Sequence, residues 1–124
     1  IGSIWFSPAL QGTRAASEAV ILLMREAFDA LGYERLVWRH LAQNRASAAA
    51  AARYGFTYEG TWRRAATFKG ARHDVVWRSI LASEWPIRRR ACEAWLDPAN
   101  FDADRRQCAA LSALRAALTP PAPE

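Results

Sequence analysis

The chain has 124 residues, of which 52% are hydrophobic and six are Trp, and its net charge is +5. This composition predicts one globular domain and excludes an intrinsically disordered chain. No apolar run reaches the ~18 residues of a membrane span, and the start lacks the pattern of a signal peptide, so we expect no membrane segment. Cys92 and Cys108 are too few for a disulfide framework and lack metal-ligand spacing. We therefore expect free thiols in a cytoplasmic protein without a metal site.

Hydrophobic periodicity predicts strands and helices in alternation. Ile4-Trp5-Phe6 is expected in a first strand that Pro8 ends, because proline cannot donate to a ladder. Strand–helix–strand order implies parallel pairing by crossover, so the expected class is mixed α/β, with a twisted mixed sheet and helices on both faces. The predicted elements are strand 2–7, loop 8–12, helix 14–31, strand 35–41, helix 45–54, strand 58–67, a turn near Lys69-Gly70, strand 73–82, and helices near 87–96 and 104–118.

The C-terminal part is predicted to be helical, with one interruption. Asp97-Pro98-Ala99-Asn100 breaks the helical pattern, and Asp102 or Asp104 is expected to cap the next helix. This part either packs on the core or forms a homodimer contact, and the sequence leaves both open. The predicted divisions are a core over 1–86, a helical extension over 87–118 and a loose, Pro-rich tail over 119–124.

The connection between the first strand and the first helix is a candidate phosphate site. Gly12, Ala15 and Ala16 are small or backbone-permissive, so bulky groups are absent where main-chain N–H groups emerge at the helix start. Those N–H groups and the positive end of the helix dipole favour phosphate. A plain tight turn explains the same residues. The positive net charge, with clusters at Arg63-Arg64 and 88–90, also favours anionic partners, although a solvated helix face accounts for the second cluster.

Five short motifs follow one another in the first part of the chain. They are the loop ending in Ala16-Ser17-Glu18-Ala19, Asn44-x-x-Ser47, Gly55-Phe56, Glu59-Gly60-x-x-Arg63, and Asp74 with Glu84-Trp85-Pro86. Their order and spacing resemble the GNAT acetyltransferase superfamily, most of all its RimJ/RimL-type branch of protein N-terminal acetyltransferases. The resemblance covers roughly Ile1 to Pro86. It implies that the chain starts in mid-strand and lacks the N-terminal strands of the fold.

The resemblance implies that acetyl-CoA is the acetyl donor. The loop Gln11, Gly12, Thr13, Arg14, Ala15, Ala16 would hold its pyrophosphate through backbone N–H groups. Arg14 stands where the superfamily usually has Gly, and it either adds a charge-assisted phosphate bond or reduces affinity. The strand with Trp5 and Phe6 would pair with the pantetheine arm through its main chain, and an ordinary core strand is the alternative.

Asn44 and Ser47 lie three residues apart at a predicted helix start. As structure, Asn44 is an N-cap and Ser47 follows in the first turn. By resemblance, Asn44 binds the cofactor arm and Ser47 is the general acid for the leaving thiolate. The branch places a basic carboxylate a few residues after Glu-Gly, but residues 64–68 contain none. Glu59, His73 and Asp74 remain as candidates, and the catalytic base is unassigned.

The leading hypothesis is an acetyl-CoA-dependent N-acetyltransferase that acts on a primary amine. The acceptor is a protein N-terminal α-amine by analogy with the branch, or a small amine, because fold does not fix substrate. A non-catalytic acyl-CoA-binding or subunit-interaction fragment is the alternative. A basic RNA-associated domain ranks third, and no specific nucleic acid is expected because no nucleic-acid motif accompanies the charge.

Overall fold

A computed structural model describes residue 2 and residues 4–123 of the chain. Within these residues the chain forms a three-stranded sheet and four α-helices. A π-helical turn extends the first helix, and a short 3-10 helix follows the third. The elements are α1 (Arg14–Arg25), the π-helical turn (Glu26–Ala30), β1 (Arg35–Leu41), α2 (Arg45–Tyr54), β2 (Thr57–Phe68), β3 (Ala71–Leu81), α3 (Trp85–Leu96), the 3-10 helix (Pro98–Asn100) and α4 (Leu111–Leu118).

The sheet has the strand order β1-β3-β2, and both pairs are antiparallel. The mixed α/β class is confirmed, whereas parallel pairing is wrong for the described strands. β1 and β2 run in the same direction, but β3 lies between them. The hairpin turn falls where it was predicted, with φ of 49° at Lys69 and 74° at Gly70. This tight turn places β3 directly beside β2, which leaves β1 to pair with the free edge of β3.

One face of the sheet carries the hydrophobic core. Leu36 on β1 lies opposite Ile80 on β3, and both side chains pack in one cluster with buried residues from all four helices. The opposite face, which contains Val75 and Ser79, contributes no residue to that cluster. Helices on both faces are therefore not found in the part of the chain that the structure describes.

The two predicted end elements differ from the structure. Residues 4–7 form no strand, because no strand of the described sheet pairs with them, and residue 3 of the predicted strand lies outside the described residues. At the other end, α4 begins at Leu111 instead of residue 104. Asp102 caps a turn and not a helix, since its Oδ1 accepts hydrogen bonds at 2.9 Å from the N–H groups of Asp104 and Arg106. Arg105, at φ 62°, breaks the helical path there.

The C-terminal extension packs on the core. Trp95 and Leu111 are buried members of the core cluster. Arg115 of α4 donates hydrogen bonds to the carbonyls of Arg53, at 2.6 Å, and Ala52, at 3.1 Å, and so satisfies the last carbonyls of α2. Packing on the core is thus confirmed, and a homodimer contact stays a prediction. Residues 120–123 have no regular secondary structure, and residue 124 lies outside the described residues.

Candidate cofactor site

The loop before α1 ends in a capped helix start. The Oγ1 atom of Thr13 accepts a hydrogen bond from the N–H of Ala16 at 3.2 Å. Gly12 has a φ of 72°, a left-handed conformation that glycine adopts without a Cβ clash. The N–H groups of Arg14 and Ala15 lie in the first turn and therefore have no carbonyl partner within the helix. These donors and the helix dipole make the helix start attractive to an anion.

The side chains of Gln11 and Arg14 bind other parts of the protein. Nε2 of Gln11 donates to the carbonyl of Phe6 at 3.0 Å, which fixes the loop to the segment before it. The guanidinium of Arg14 donates to the carbonyl of Leu96 at the end of α3 and pairs with Glu18 at 3.2 Å. Arg14 therefore ties the loop to α3. The two contacts use one N–H on each terminal nitrogen, so three of the five guanidinium donors remain for a further acceptor.

A cavity of about 360 Å³ opens at the start of α1. Arg53 of α2 reaches it, with Nη1 donating to Oγ of Ser17 at 2.8 Å and its guanidinium 4.7 Å from the ring centroid of Trp95. Among the described residues, neither Arg53 nor Arg105 is ion-paired to a carboxylate. Their uncompensated charge favours an anionic ligand. The lining is Gly12, Thr13, Arg14, Ser17, Arg53, Trp95, Phe101, Arg105 and Gln107.

A second cavity, of about 190 Å³, lies between the N-terminal segment, β1 and the start of α2. It brings together Asn44 and Ser47, the two residues predicted as a pair. Trp5 and Phe6 are not among the lining residues; Trp5 is 83% exposed, and Phe6 packs on the core. The lining is Gly2, Ile4, Trp38, Arg39, His40, Asn44 and Ser47.

The first turn of α2 holds both Asn44 and Ser47 in hydrogen bonds. Oδ1 of Asn44 accepts from the N–H of Ser47 at 3.1 Å, which confirms Asn44 as the N-cap. The amide NH₂ of Asn44 has no partner in the part of the chain that the structure describes. Oγ of Ser47 accepts from Nε1 of Trp38 at 2.9 Å. Since an indole N–H can only donate, the hydroxyl hydrogen of Ser47 is left for another acceptor.

His40 lines the same cavity, although the sequence analysis did not select it. Its Nδ1 lies 2.8 Å from the carbonyl of Leu41, and its Nε2 lies 3.3 Å from Nε of Arg78. A carbonyl only accepts and a guanidinium only donates, so both contacts require the neutral tautomer with hydrogen on Nδ1. The remaining lone pair of His40 is thus directed at Nε of Arg78.

The three base candidates from the sequence also have structural partners. Glu59 accepts hydrogen bonds from Ser79 and Arg35, and these bonds lower the pKa of its carboxyl group. The Oδ1 atom of Asp74 accepts from the N–H of Arg64 at 2.7 Å, where β2 bulges. Nε2 of His73 lies 3.2 Å from the carbonyl of Phe68 beside the hairpin turn. None of the three lines the cavity that contains Ser47.

Two further features bear on the class of site. Across the described residues, His, Cys, Asp and Glu side chains form no group of three able to hold a metal ion. None of the helices seen in this structure combines the length and apolar character needed to cross a membrane. The site is thus built from backbone N–H groups, arginines, an amide and a hydroxyl.

The start of α1, beside arginines without a carboxylate partner, and the start of α2, which carries a hydroxyl, are features of an α/β domain suited to a phosphate-bearing cofactor. Residues 1–57 match the sequence model of the acetyltransferase (GNAT) domain. No match is found among the curated proteins. The match shows that residues 1–57 carry part of a GNAT acetyltransferase domain, and the solved structures below support the same family.

Three solved structures are similar to the chain. A GCN5-related N-acetyltransferase from Brucella melitensis is 42% identical, with a TM-score of 0.91 over 93% of this chain and 52% of its own. A probable GNAT-family acetyltransferase from Chromobacterium violaceum is 51% identical, with a TM-score of 0.67 over 69% of this chain and 43% of its own. RimL, a ribosomal L7/L12 α-N-protein acetyltransferase in complex with coenzyme A, is 30% identical, with a TM-score of 0.58 over 62% of this chain and 44% of its own. The chain spans about half the length of these proteins.

Proposed function

We propose that the chain carries the donor-binding part of an acetyl-CoA-dependent N-acetyltransferase that acylates a primary amine. The observation that supports this most is the lining of the cavity at the start of α2, where Asn44 and Ser47 both offer donors. The family supports the cofactor class, and RimL, a structure similar to this chain, is a coenzyme A complex. The acceptor is a protein N-terminal α-amine or a small amine, and the protein acts in the cytoplasm.

The residues at the start of α1 fit the phosphates of such a donor. Free N–H groups at Arg14 and Ala15 bind phosphate oxygens without a side chain, as helix starts do. Arg53 adds a guanidinium whose charge no carboxylate in the described structure neutralises, and guanidinium–phosphate bonds are among the stronger hydrogen bonds in proteins. Arg14 contributes its backbone N–H, and its side chain also bonds to the carbonyl of Leu96.

Ser47 supplies the proton that the departing sulfur needs. The acceptor amine attacks the thioester carbonyl carbon, the carbon–sulfur bond breaks, and the sulfur takes the hydroxyl proton of Ser47. The amine loses one proton to solvent, and Ser47 regains one from solvent. The products are an amide and a thiol, so the atoms and charges balance. A hydroxyl is a weak acid, and its role rests on position and on the stabilisation of the oxygen left behind.

A non-catalytic acyl-CoA-binding module is the second candidate. It is favoured because each candidate for the catalytic base is already hydrogen-bonded within the protein. These candidates are His40, Glu59, His73 and Asp74. Such a module would bind acetyl-CoA and release no thiol in the presence of amines.

Two measurements on the same preparation distinguish these functions. Calorimetric titration with acetyl-CoA measures binding, and coenzyme A release with peptide and small-amine acceptors measures turnover. Ser47→Ala should lower turnover while leaving the dissociation constant of acetyl-CoA nearly unchanged. Ser112→Ala, at an exposed serine of α4, is the matched control. Binding without turnover supports the module, and a folded chain that does not bind contradicts both.

A further inference from the structure

Trp38 is held in a fixed orientation beside the start of α2. It lies on β1 opposite Arg78 of β3 and points to the core face of the sheet. Its ring contacts Tyr54 with a centroid distance of 6.0 Å and Phe56 with a centroid distance of 5.3 Å at 61°. Two aromatic contacts on a strand residue leave the indole little rotational freedom. The direction of its N–H is therefore set by the fold.

That N–H ends on the hydroxyl oxygen of Ser47, at 2.9 Å. A serine in the first turn of a helix has three staggered positions and can bond several backbone groups. The bond from Trp38 selects one of these positions. It also occupies an oxygen lone pair, so the hydroxyl hydrogen must point elsewhere. Both residues line the cavity that contains Asn44.

We propose that Trp38 is a positioning residue for the reaction, acting through Ser47. This rests on the proposed function. As the Ser47 hydroxyl gives its proton to the departing sulfur, negative charge grows on Oγ, and the bond from the indole N–H strengthens. Hydrogen bonds to charged groups are stronger than bonds between neutral ones, so the contact stabilises the transition state more than the ground state. The Trp38 side chain itself transfers no proton.

Trp38→Phe removes the N–H and keeps an aromatic ring against Tyr54 and Phe56. We expect kcat to fall about tenfold or more, with the KM for acetyl-CoA changed less than about twofold. Trp85→Phe is the matched control, because Nε1 of Trp85 donates to Oδ1 of Asp29 at 2.8 Å in a buried aromatic stack outside the cavity. It removes the same kind of bond and should leave kcat unchanged at a temperature where both variants are folded.

A double-mutant cycle separates positioning from general damage to the fold. Once Ser47→Ala has removed the oxygen, Trp38→Phe should cost almost no further activity. The proposal is overturned if the Trp38→Phe variant keeps the kcat of the wild type while the Ser47→Ala variant has a lower kcat. An equal loss in both backgrounds overturns it too, because the effect is then structural. A wild-type chain that binds acetyl-CoA but acetylates no amine contradicts the proposed function instead, and with it the positioning role of Trp38.

The contact itself is measurable without turnover. The indole N–H of Trp38 should exchange slowly with solvent by NMR in the wild-type chain, and faster in Ser47→Ala. The Trp85 indole should not change between the two proteins. An exchange rate at Trp38 that is independent of Ser47 would show that the hydrogen bond does not form in solution, and it would overturn the proposal whether or not the chain is active.

Discussion

Asn44 has a capping role and a proposed ligand-binding role, and two substitutions separate them. Its Oδ1 caps α2 through the N–H of Ser47 at 3.1 Å, while its NH₂ group has no partner among the described residues, and Asn44 lines the cavity. Asn44→Ala removes both groups. Loss of an N-cap costs about 1 kcal/mol, so the free energy of unfolding should fall by that amount and the melting temperature by about 4 °C. Loss of one hydrogen bond to the ligand should raise the dissociation constant of acetyl-CoA about fivefold.

Asn44→Ser keeps a capping oxygen and removes the amide donor. Because serine caps about as well as asparagine, stability measured by urea unfolding should return close to that of the wild type. The dissociation constant, measured by calorimetric titration, should stay raised about fivefold. If Asn44→Ser restores the affinity together with the stability, the amide has no ligand role. If the Asn44→Ala variant is as stable as the wild type, the cap contributes nothing to stability, and the capping role of Asn44 is contradicted.

Three further outcomes are expected. Arg53→Met should raise the dissociation constant of acetyl-CoA about tenfold and reduce its salt dependence, while Arg90→Met, at an exposed arginine, should change neither in the same titration. At pH 8 a thiol reagent should modify the exposed Cys108 and should not modify Cys92 in the folded protein. The reason is that burial raises the pKa of the Cys92 thiol to about 11. Rapid modification of both cysteines contradicts this prediction. The hydrogen bond from Ser79, and to a smaller extent Arg35, lowers the pKa of Glu59 in the folded protein. Glu59 should therefore stabilise the fold at a pH above its unfolded pKa, and this contribution should be lost as the pH falls through its folded pKa. Urea unfolding of Glu59→Gln across this window should show a weaker pH dependence than the wild type, and an identical profile counts against the assignment.

The central elements follow from local sequence signals. Three element ends are specified by residues that favour a particular backbone conformation or a capping hydrogen bond. These are the turn at Lys69-Gly70, the Asn44 cap at the start of α2 and Gly55, with a φ of 92°, at its end. Strand 2–7 failed for a different reason, since a strand needs a ladder partner and none lies beside residues 4–7 in the described sheet. The order β1-β3-β2 could not be predicted either, because crossover rules constrain parallel neighbours and β3 pairs with β1 only through tertiary packing.

In the candidate site, too, some residues follow from local sequence signals and others depend on tertiary packing. Asn44 and Ser47 were predicted because their spacing in one helical turn carries the signal. Arg53, Arg105 and Trp38 carry no such local signal. Each reaches its cavity only after α2 packs against α1, the extension folds over the loop, and β1 pairs in register. The sequence marks Arg14 as a departure from the superfamily pattern at the loop. Its bond to the carbonyl of Leu96 depends on α3, which the loop sequence does not describe.

The hydrogen-bonding character of the site limits what it does by itself. Oδ1 of Asn44 accepts from a backbone N–H and Oγ of Ser47 accepts from Trp38, while the Asn44 NH₂ group and the Ser47 hydroxyl hydrogen have no partner among the described residues. The lone pair of His40 is used by Arg78. The start of α1 adds N–H groups and the guanidinium of Arg53, which are also donors. These donors match phosphates, amide carbonyls and a departing thiolate, and neither cavity lining contains a carboxylate to take the proton of an amine. We therefore infer that these residues serve the acetyl donor and that the amine proton leaves to solvent or to a group outside this lining.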